Sequence, residues 1–240
     1  MITILEHRGR WCLSSDDLFT KTKLHNSKEA LFNAIKLGDG VETDIRDYNG
    51  QLVIAHDMPS AQSQHLTLEE LFIYYKNCNA SSCLALNIKS SGLASALQTL
   101  LAKYEITNYF TFDMATPDIL DYIKHNIHFY MRDSEIEQID KNNILYKPCS
   151  GVWIDQLYAD AYHRITYNML EAYIQDDKVV AIISPDLSTT WGRKDNLYLE
   201  AWKVYLDYFK QLKQSGYDLS KVMLCSDLPL QAKLYFEAII

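Results

Sequence analysis

Short apolar segments alternate with amphipathic segments along most of the chain. Residues 41–45, 83–88 and 179–184 are apolar runs typical of buried strands. Residues 27–37, 93–104 and 196–214 instead repeat apolar positions at helical spacing. About eight strand-then-helix units can be counted, with the helices weakest after the second and fifth strands. This alternation predicts a parallel sheet whose strands are joined by helical crossovers.

Eight such units in 240 residues favour an α/β fold of the (β/α)8 TIM-barrel type, which typically takes about 250 residues. An open doubly wound sheet is the alternative. That fold favours a Gly-rich first turn of the GxGxxG type, which is absent from this chain of only 8 glycines. No linker, repeat or low-complexity tract divides the sequence, so residues 1–240 are predicted to form a single domain.

The amino-acid composition and net charge indicate the general class to which the protein belongs. A hydrophobic share of 48% and a charged share of 22% are typical of a globular chain rather than a disordered one. The net charge of -8 disfavours nucleic acid as a partner. No apolar run is long enough for a signal peptide or a membrane span. The 5 cysteines form no CxxC pair, which favours reduced thiols and a cytoplasmic location.

Polar side chains cluster where the predicted strands end, which is where barrel enzymes carry their chemistry. The relevant residues are His7, Arg8, Gly9, Glu42, Asp44, His56, Asp57, Asn87 and Lys89. Because strand side chains alternate between faces, Glu42 and Asp44 point to one side, as do Asn87 and Lys89. Two carboxylates on an inward face need a cation, whereas on an edge strand they would face solvent. The pattern alone leaves both arrangements open.

The order of these residues resembles the glycerophosphodiester phosphodiesterases. That family carries an HRG motif, an ExD pair on the second strand and an HD pair after a small turn, matched here by His7–Gly9, Glu42 with Asp44, and His56 with Asp57. Asn87 and Lys89 match its third-strand ExK segment, with Asn87 in place of the usual Glu. The resemblance implies a barrel of the phospholipase-C-like phosphodiesterase type.

The resemblance also implies roles for individual residues. His7 and His56 would form the acid–base pair, and Lys89 would contact the phosphate. Glu42, Asp44 and Asn87 would bind a divalent cation, either Mg²⁺ or Ca²⁺. Both ions accept amide oxygens as well as carboxylates, but the charge lost at Asn87 predicts weaker binding of free metal and coupling between metal and substrate. Phosphatidylinositol-specific phospholipases C share the barrel and the use of two histidines for acid–base catalysis. The resemblance therefore leaves the exact substrate open.

Several further residues have roles that the sequence leaves open. Arg8 is expected to contact a phosphate or a carboxylate, and Arg193 is expected to bind a second anionic group. Trp191 is the candidate platform for a substrate ring. Lys89 has an alternative role as a salt-bridge partner of Glu42. Asp113 is either a base or a helix-start residue, and the remaining histidines, which lack motif support, are assigned to the surface or to packing: His25, His65, His125, His128 and His163.

Two other functions remain as alternatives. A non-catalytic barrel that binds a phosphodiester or phosphosugar is supported only by Asn87. A phosphosugar isomerase would need a Gly-rich loop after the seventh strand, where residues 184–192 contain one glycine. The expected partner is a small phosphodiester. An aromatic stripe on the predicted helix 197–212 favours packing within the fold, with a membrane face or a second subunit as the alternatives.

Overall fold

The computed structural model describes residues 1–12, 24–158, 161–188, 192–193 and 196–237. In this part of the chain the strands are β1 Thr3–His7, β2 Gly40–Tyr48, β3 Gln51–Ile54, β4 Leu84–Ile88, β5 Tyr109–Phe112, β6 Tyr130–Asp133, β7 Gly151–Ile154, β8 Val179–Ile183 and β9 Val222–Ser226. The α-helices are α1 Lys28–Lys36, α2 Leu68–Asn77, α3 Ala94–Lys103, α4 Thr116–Lys124, α5 Tyr167–Gln175, α6 Leu197–Gln214 and α7 Pro229–Phe236. None of the described helices is long and apolar enough to cross a membrane.

The described residues divide into two compact units. Unit 1 contains Met1–Leu5, Cys12 and the described residues from Tyr130 onward, and unit 2 contains Glu6–Trp11 and the described residues from 24 to Phe129. Strand β1 contributes residues to both. The single domain expected from the sequence stays a prediction.

Unit 2 carries a parallel sheet in the order β2, β4, β5, with β3 antiparallel to the end of β2. Strand β4 is buried along its whole length, which explains its nearly continuous apolar sequence. Helix α2 follows β3 and begins with a capping box between Thr67 and Glu70, so the helix after the second parallel strand is regular. The sheet extends past β5 through a parallel bridge between Thr111 and Phe129.

Unit 1 carries the parallel order β6, β7, β8, β9. The described residues between β6 and β7 form no helix, which agrees with the weak fifth unit of the sequence pattern. On α6 the aromatic side chains at helical spacing are buried, among them Tyr198, Trp202, Tyr205 and Phe209. Trp202 packs against Phe236 of α7 with ring centroids 5.8 Å apart. Packing within the fold, the first of the three expectations for this stripe, is therefore confirmed.

Candidate functional site

The turn after β1 places the first group of polar residues. Arg8 and Gly9 both have left-handed backbone angles, with φ of 56° and 87°, and the Gly9 amide donates to the Glu6 carbonyl over 3.2 Å. The Arg10 guanidinium pairs with the carboxylates of Glu6 and Asp39. These contacts close the turn tightly, and they fix the direction in which its side chains leave β1.

Strands β2 and β4 place the second group. The Glu42 and Asp44 side chains lie on one face of β2 and are 1% and 0% exposed. Asp44 is the register partner of Asn87 on the parallel strand β4, so these two side chains are neighbours on the sheet. The burial of both carboxylates excludes the solvent-facing arrangement that the sequence left open. Lys89 directly follows β4 and lies at the same end of the sheet.

Two cationic side chains lie against the carboxylates. Arg8 Nε is 3.0 Å from Asp44 Oδ2, and the Arg8 amide donates to Glu42 Oε2 over 3.2 Å. Lys89 Nζ lies 3.4 Å from Asp44 Oδ1 and 3.6 Å from Asp113 Oδ2. Lys89 thus pairs with Asp44 and Asp113 rather than with Glu42. The cluster holds three carboxylates against two fixed cations.

Neighbouring groups separate the proton affinities of the two central buried carboxyl groups. Burial, followed by the charge of Asp44, raises the pKa of Glu42 to about 7. Burial also acts to raise the pKa of Asp44, but the charges of Arg8 and Lys89 and a hydrogen bond from Asn26 outweigh it and lower that pKa. Near neutral pH, Asp44 is therefore ionised, while Glu42 exchanges a proton.

The two histidines of the sequence motifs occupy different places around this cluster. His7 Nε2 is 3.8 Å from Glu42 Oε2. His56 is half exposed on a cleft of about 740 Å³, and its Nδ1 is 2.8 Å from Asp57 Oδ1. Arg8 lines the same cleft as the half-exposed His56, and it also contacts the buried carboxylate of Asp44.

Two residues of this site have no role in the sequence motifs. His25 is expected from the sequence at the surface or in packing, whereas the structure places its Nδ1 3.4 Å from Arg8 Nη1 and its ring 5.9 Å from that of His7. Asn26 donates from Nδ2 to Asp44 Oδ2 over 2.7 Å and accepts from Thr43 Oγ1 over 2.8 Å. Such a link between a loop and a strand depends on the fold, and the sequence of the loop does not reveal it.

The remaining predicted binding residues lie elsewhere. Arg193 belongs to unit 1, where it is buried. Its Nη2 lies 2.6 Å from Asp227 Oδ2, and its Nε donates to the Asp186 carbonyl. Its binding of a second anionic group stays a prediction. Trp191 lies outside the described residues.

The cluster presents side-chain oxygen atoms of the kind that bind divalent cations. Across the described ranges no three His, Cys, Asp or Glu side chains are grouped as a metal site. Asp44 Oδ1 and Asn87 Oδ1 are nevertheless buried oxygens that accept no hydrogen bond. Two carboxylates and an amide are hard oxygen donors, which Mg²⁺ and Ca²⁺ prefer. The side chains of Glu42, Asp44 and Asn87 therefore fit a hard divalent cation.

Comparison with known proteins gives likeness in structure only. No protein-family model and no curated protein matches the sequence. A candidate glycerophosphodiester phosphodiesterase from Galdieria sulphuraria matches with a TM-score of 0.70 at 15% identity, over 99% of this chain and 98% of that one. The glycerophosphodiester phosphodiesterase of Agrobacterium tumefaciens matches with a TM-score of 0.61 at 14% identity, over 99% and 100%.

A third match is a phosphodiesterase from Oleispira antarctica solved with the product sn-glycerol-3-phosphate. Its TM-score is 0.64 at 15% identity, and the match covers 98% of this chain and 96% of that one. These likenesses show that the chain has the (β/α)8 TIM-barrel fold of glycerophosphodiester phosphodiesterases. The resemblance seen in the sequence is thereby confirmed at the level of the fold.

Proposed function

We propose that the protein is a metal-dependent phosphodiesterase that cleaves a glycerophosphodiester or a related sugar- or alcohol-linked phosphodiester. One observation carries this proposal: the buried carboxylates of Glu42 and Asp44 lie beside His7 and Lys89, and Asp44 Oδ1 and Asn87 Oδ1 accept no hydrogen bond. The fold shared with glycerophosphodiester phosphodiesterases supports it.

The two histidines are the proposed acid and base. An imidazole exchanges protons near neutral pH, which suits transfer to and from the oxygens of a phosphodiester. When His56 Nδ1 donates to Asp57, its Nε2 is left to take or give a proton in the cleft. His7, which lies beside Glu42, is the proposed proton carrier at the buried carboxylates. One histidine takes the proton of the attacking group, and the other protonates the alkoxide that leaves as the P–O bond breaks. If the substrate carries a hydroxyl next to the phosphate, that hydroxyl attacks and the products are a cyclic phosphate and an alcohol; otherwise water attacks and the products are a phosphomonoester and an alcohol.

The charged residues have separate tasks. Glu42, Asp44 and Asn87 are proposed to hold Mg²⁺ or Ca²⁺, which supplies electrostatic stabilisation of charge on the phosphoryl oxygens when it is bound. Lys89 and Arg8 bring positive charge to the same group from the protein itself. Because Asn87 adds no negative charge, the phosphate of the substrate completes the charge balance.

Removing a histidine tests the acid–base assignment. We expect His7→Ala and His56→Ala each to lower kcat by about 10²–10⁴-fold on the true substrate. That substrate is first identified with a panel of glycerol-, inositol- and sugar-linked phosphodiesters. His125→Ala is the matched control, since His125 directly follows α4 and contacts the Asp121 carbonyl. Unchanged turnover by His56→Ala would refute the assignment.

The alternative function is a barrel that binds a phosphodiester without cleaving it. The pairing of Asp44 with both Arg8 and Lys89 favours this alternative, because these cations already offset much of the carboxylate charge. Repeating the panel with and without chelator separates the two functions. Cleavage that disappears with chelator and returns with Mg²⁺ or Ca²⁺ supports the enzyme, whereas tight binding without product supports the binding protein.

A further inference from the structure

Lys89 lies between two carboxylates without a close bond to either. Its Nζ is 3.4 Å from Asp44 Oδ1 and 3.6 Å from Asp113 Oδ2, both longer than the usual 2.7–2.9 Å of a charge-assisted hydrogen bond. Asp44 Oδ1 correspondingly accepts no hydrogen bond. A four-carbon side chain with a rotatable ammonium can shift between such partners at little cost.

Asp113 reaches Lys89 from an unusual backbone conformation. The residue follows β5 and has φ of 68°, in the left-handed region that non-glycine residues rarely adopt. Its side chain is 10% exposed. Asp is one of the few residue types that adopt this region readily, and the turn after β5 holds its side chain in a particular place. Here that place is beside the ammonium of Lys89.

We infer that Lys89 competes with the divalent cation for Asp44 Oδ1, and that the Lys89 ammonium moves to Asp113, its second ion-pair partner, when the cation binds. The inference rests on the cation site of the proposed function. It makes Asp113 a positioning residue: by drawing Lys89 away from Asp44, it opens the carboxylate to the cation and keeps the ammonium close to where the phosphate would lie.

A double-mutant cycle on cation affinity tests the inference. Isothermal titration with Mn²⁺ alone is performed on the wild type, Lys89→Met, Asp113→Asn and the double variant. Asn tolerates the left-handed backbone, so Asp113→Asn changes the charge with little strain. We expect Lys89→Met to bind Mn²⁺ about tenfold more tightly, because a competitor is gone. We expect Asp113→Asn to bind about tenfold more weakly, because Lys89 then rests on Asp44.

The decisive comparison is the effect of Asp113→Asn in the two backgrounds. If Asp113 acts through Lys89, its loss changes Mn²⁺ affinity by at most about twofold when residue 89 is Met. Equal weakening in both backgrounds would mean a simple through-space charge effect and would overturn the inference. Absence of tighter binding in Lys89→Met, or of any Mn²⁺ binding, would overturn it too. Lys89→Gln repeats the test should the Met variant fold poorly.

Controls separate this inference from the proposed function. Lys141→Met removes a lysine paired with Asp176 in unit 1 and should leave Mn²⁺ affinity unchanged. Phosphodiester cleavage is assayed on the same preparations. Cleavage without the predicted cycle leaves the proposed function standing and the inference refuted. The predicted cycle without cleavage of any diester supports the inference and leaves a cation-binding barrel in place of the enzyme.

Discussion

The carboxyl group of Glu42 is fully buried and lies beside a second carboxylate, that of Asp44. Its pKa of about 7 in the folded protein lies above the ordinary value of 4.5. The folded state therefore binds a proton that the unfolded chain releases, and the resulting stability is present in full below pH 4.5. It is lost as the pH rises through about 7, where the buried carboxylate becomes charged.

Replacing this carboxyl group by an amide should remove the loss of stability that comes from charging a buried carboxylate. We expect Glu42→Gln to raise the free energy of unfolding by on the order of 1–3 kcal/mol at pH 8, and to leave it nearly unchanged below pH 5. Denaturant unfolding with chelator present measures both values. Glu29→Gln on the exposed surface of α1 is the control. An equal gain at both pH values would show that packing, rather than charge, is responsible.

At the scale of the elements, the contact between the β1 turn and α1 depends on a missing side chain. A Cβ atom built on Gly9 would lie 2.7 Å from the Ala30 carbonyl carbon and 2.8 Å from the Leu31 amide nitrogen. The Arg10 amide also donates to the Ala30 carbonyl over 2.9 Å. The turn that carries His7 and Arg8 is therefore held directly against the backbone of the helix.

Two glycine substitutions separate this close approach from backbone strain. Gly38 has a similar φ of 78° but open space around its Cβ position. We expect Gly38→Ala to lower the free energy of unfolding by about 1 kcal/mol and Gly9→Ala by about 2–4 kcal/mol. Urea unfolding measures both. Equal losses would show that the helix yields to the added methyl group.

At the scale of the whole molecule, buried charge is balanced differently in the two units. In unit 2 the Asp44 carboxylate lies beside both Arg8 and Lys89, and its Oδ1 accepts no hydrogen bond. In unit 1, Asp227 pairs with the buried Arg193, and the Asp186 carboxylate accepts from the Asp227 amide over 2.7 Å. Asp186 Oδ1 likewise accepts no hydrogen bond, so the two units differ in the cations beside their carboxylates and not in the presence of such an oxygen.

Breaking the unit 1 pair should cost stability. We expect Arg193→Met to lower the free energy of unfolding by about 3–5 kcal/mol, because Asp227 is left buried without its cation beside Asp186. Burial, followed by the charge of Asp227, already raises the pKa of Asp186 to about 6. Guanidinium unfolding of Arg193→Met is compared with the double variant that also carries Asp227→Asn. A double variant no more stable than Arg193→Met would contradict this explanation.

The alternation of apolar and amphipathic segments was sufficient to predict the fold class, because each strand and helix must bury its own apolar face. The predicted segments 83–88, 179–184, 27–37, 93–104 and 196–214 match β4, β8, α1, α3 and α6 to within one residue at each end, whereas β2 runs three residues past the predicted end at residue 45. The spacing of Glu42 and Asp44 likewise places both on one face. Local patterns of this kind determine elements and the direction of side chains.

Only the tertiary structure decided which side chains meet. His25 and Asn26 join the site from the loop before α1 and Asp113 from the turn after β5, and no motif spacing links them to Asp44 or Lys89. Pairings between residues distant in sequence depend on the register of neighbouring strands and on turn geometry. The chain by itself therefore determined the fold and the residue types of the site, while the three-dimensional arrangement determined their charge balance and proton affinity.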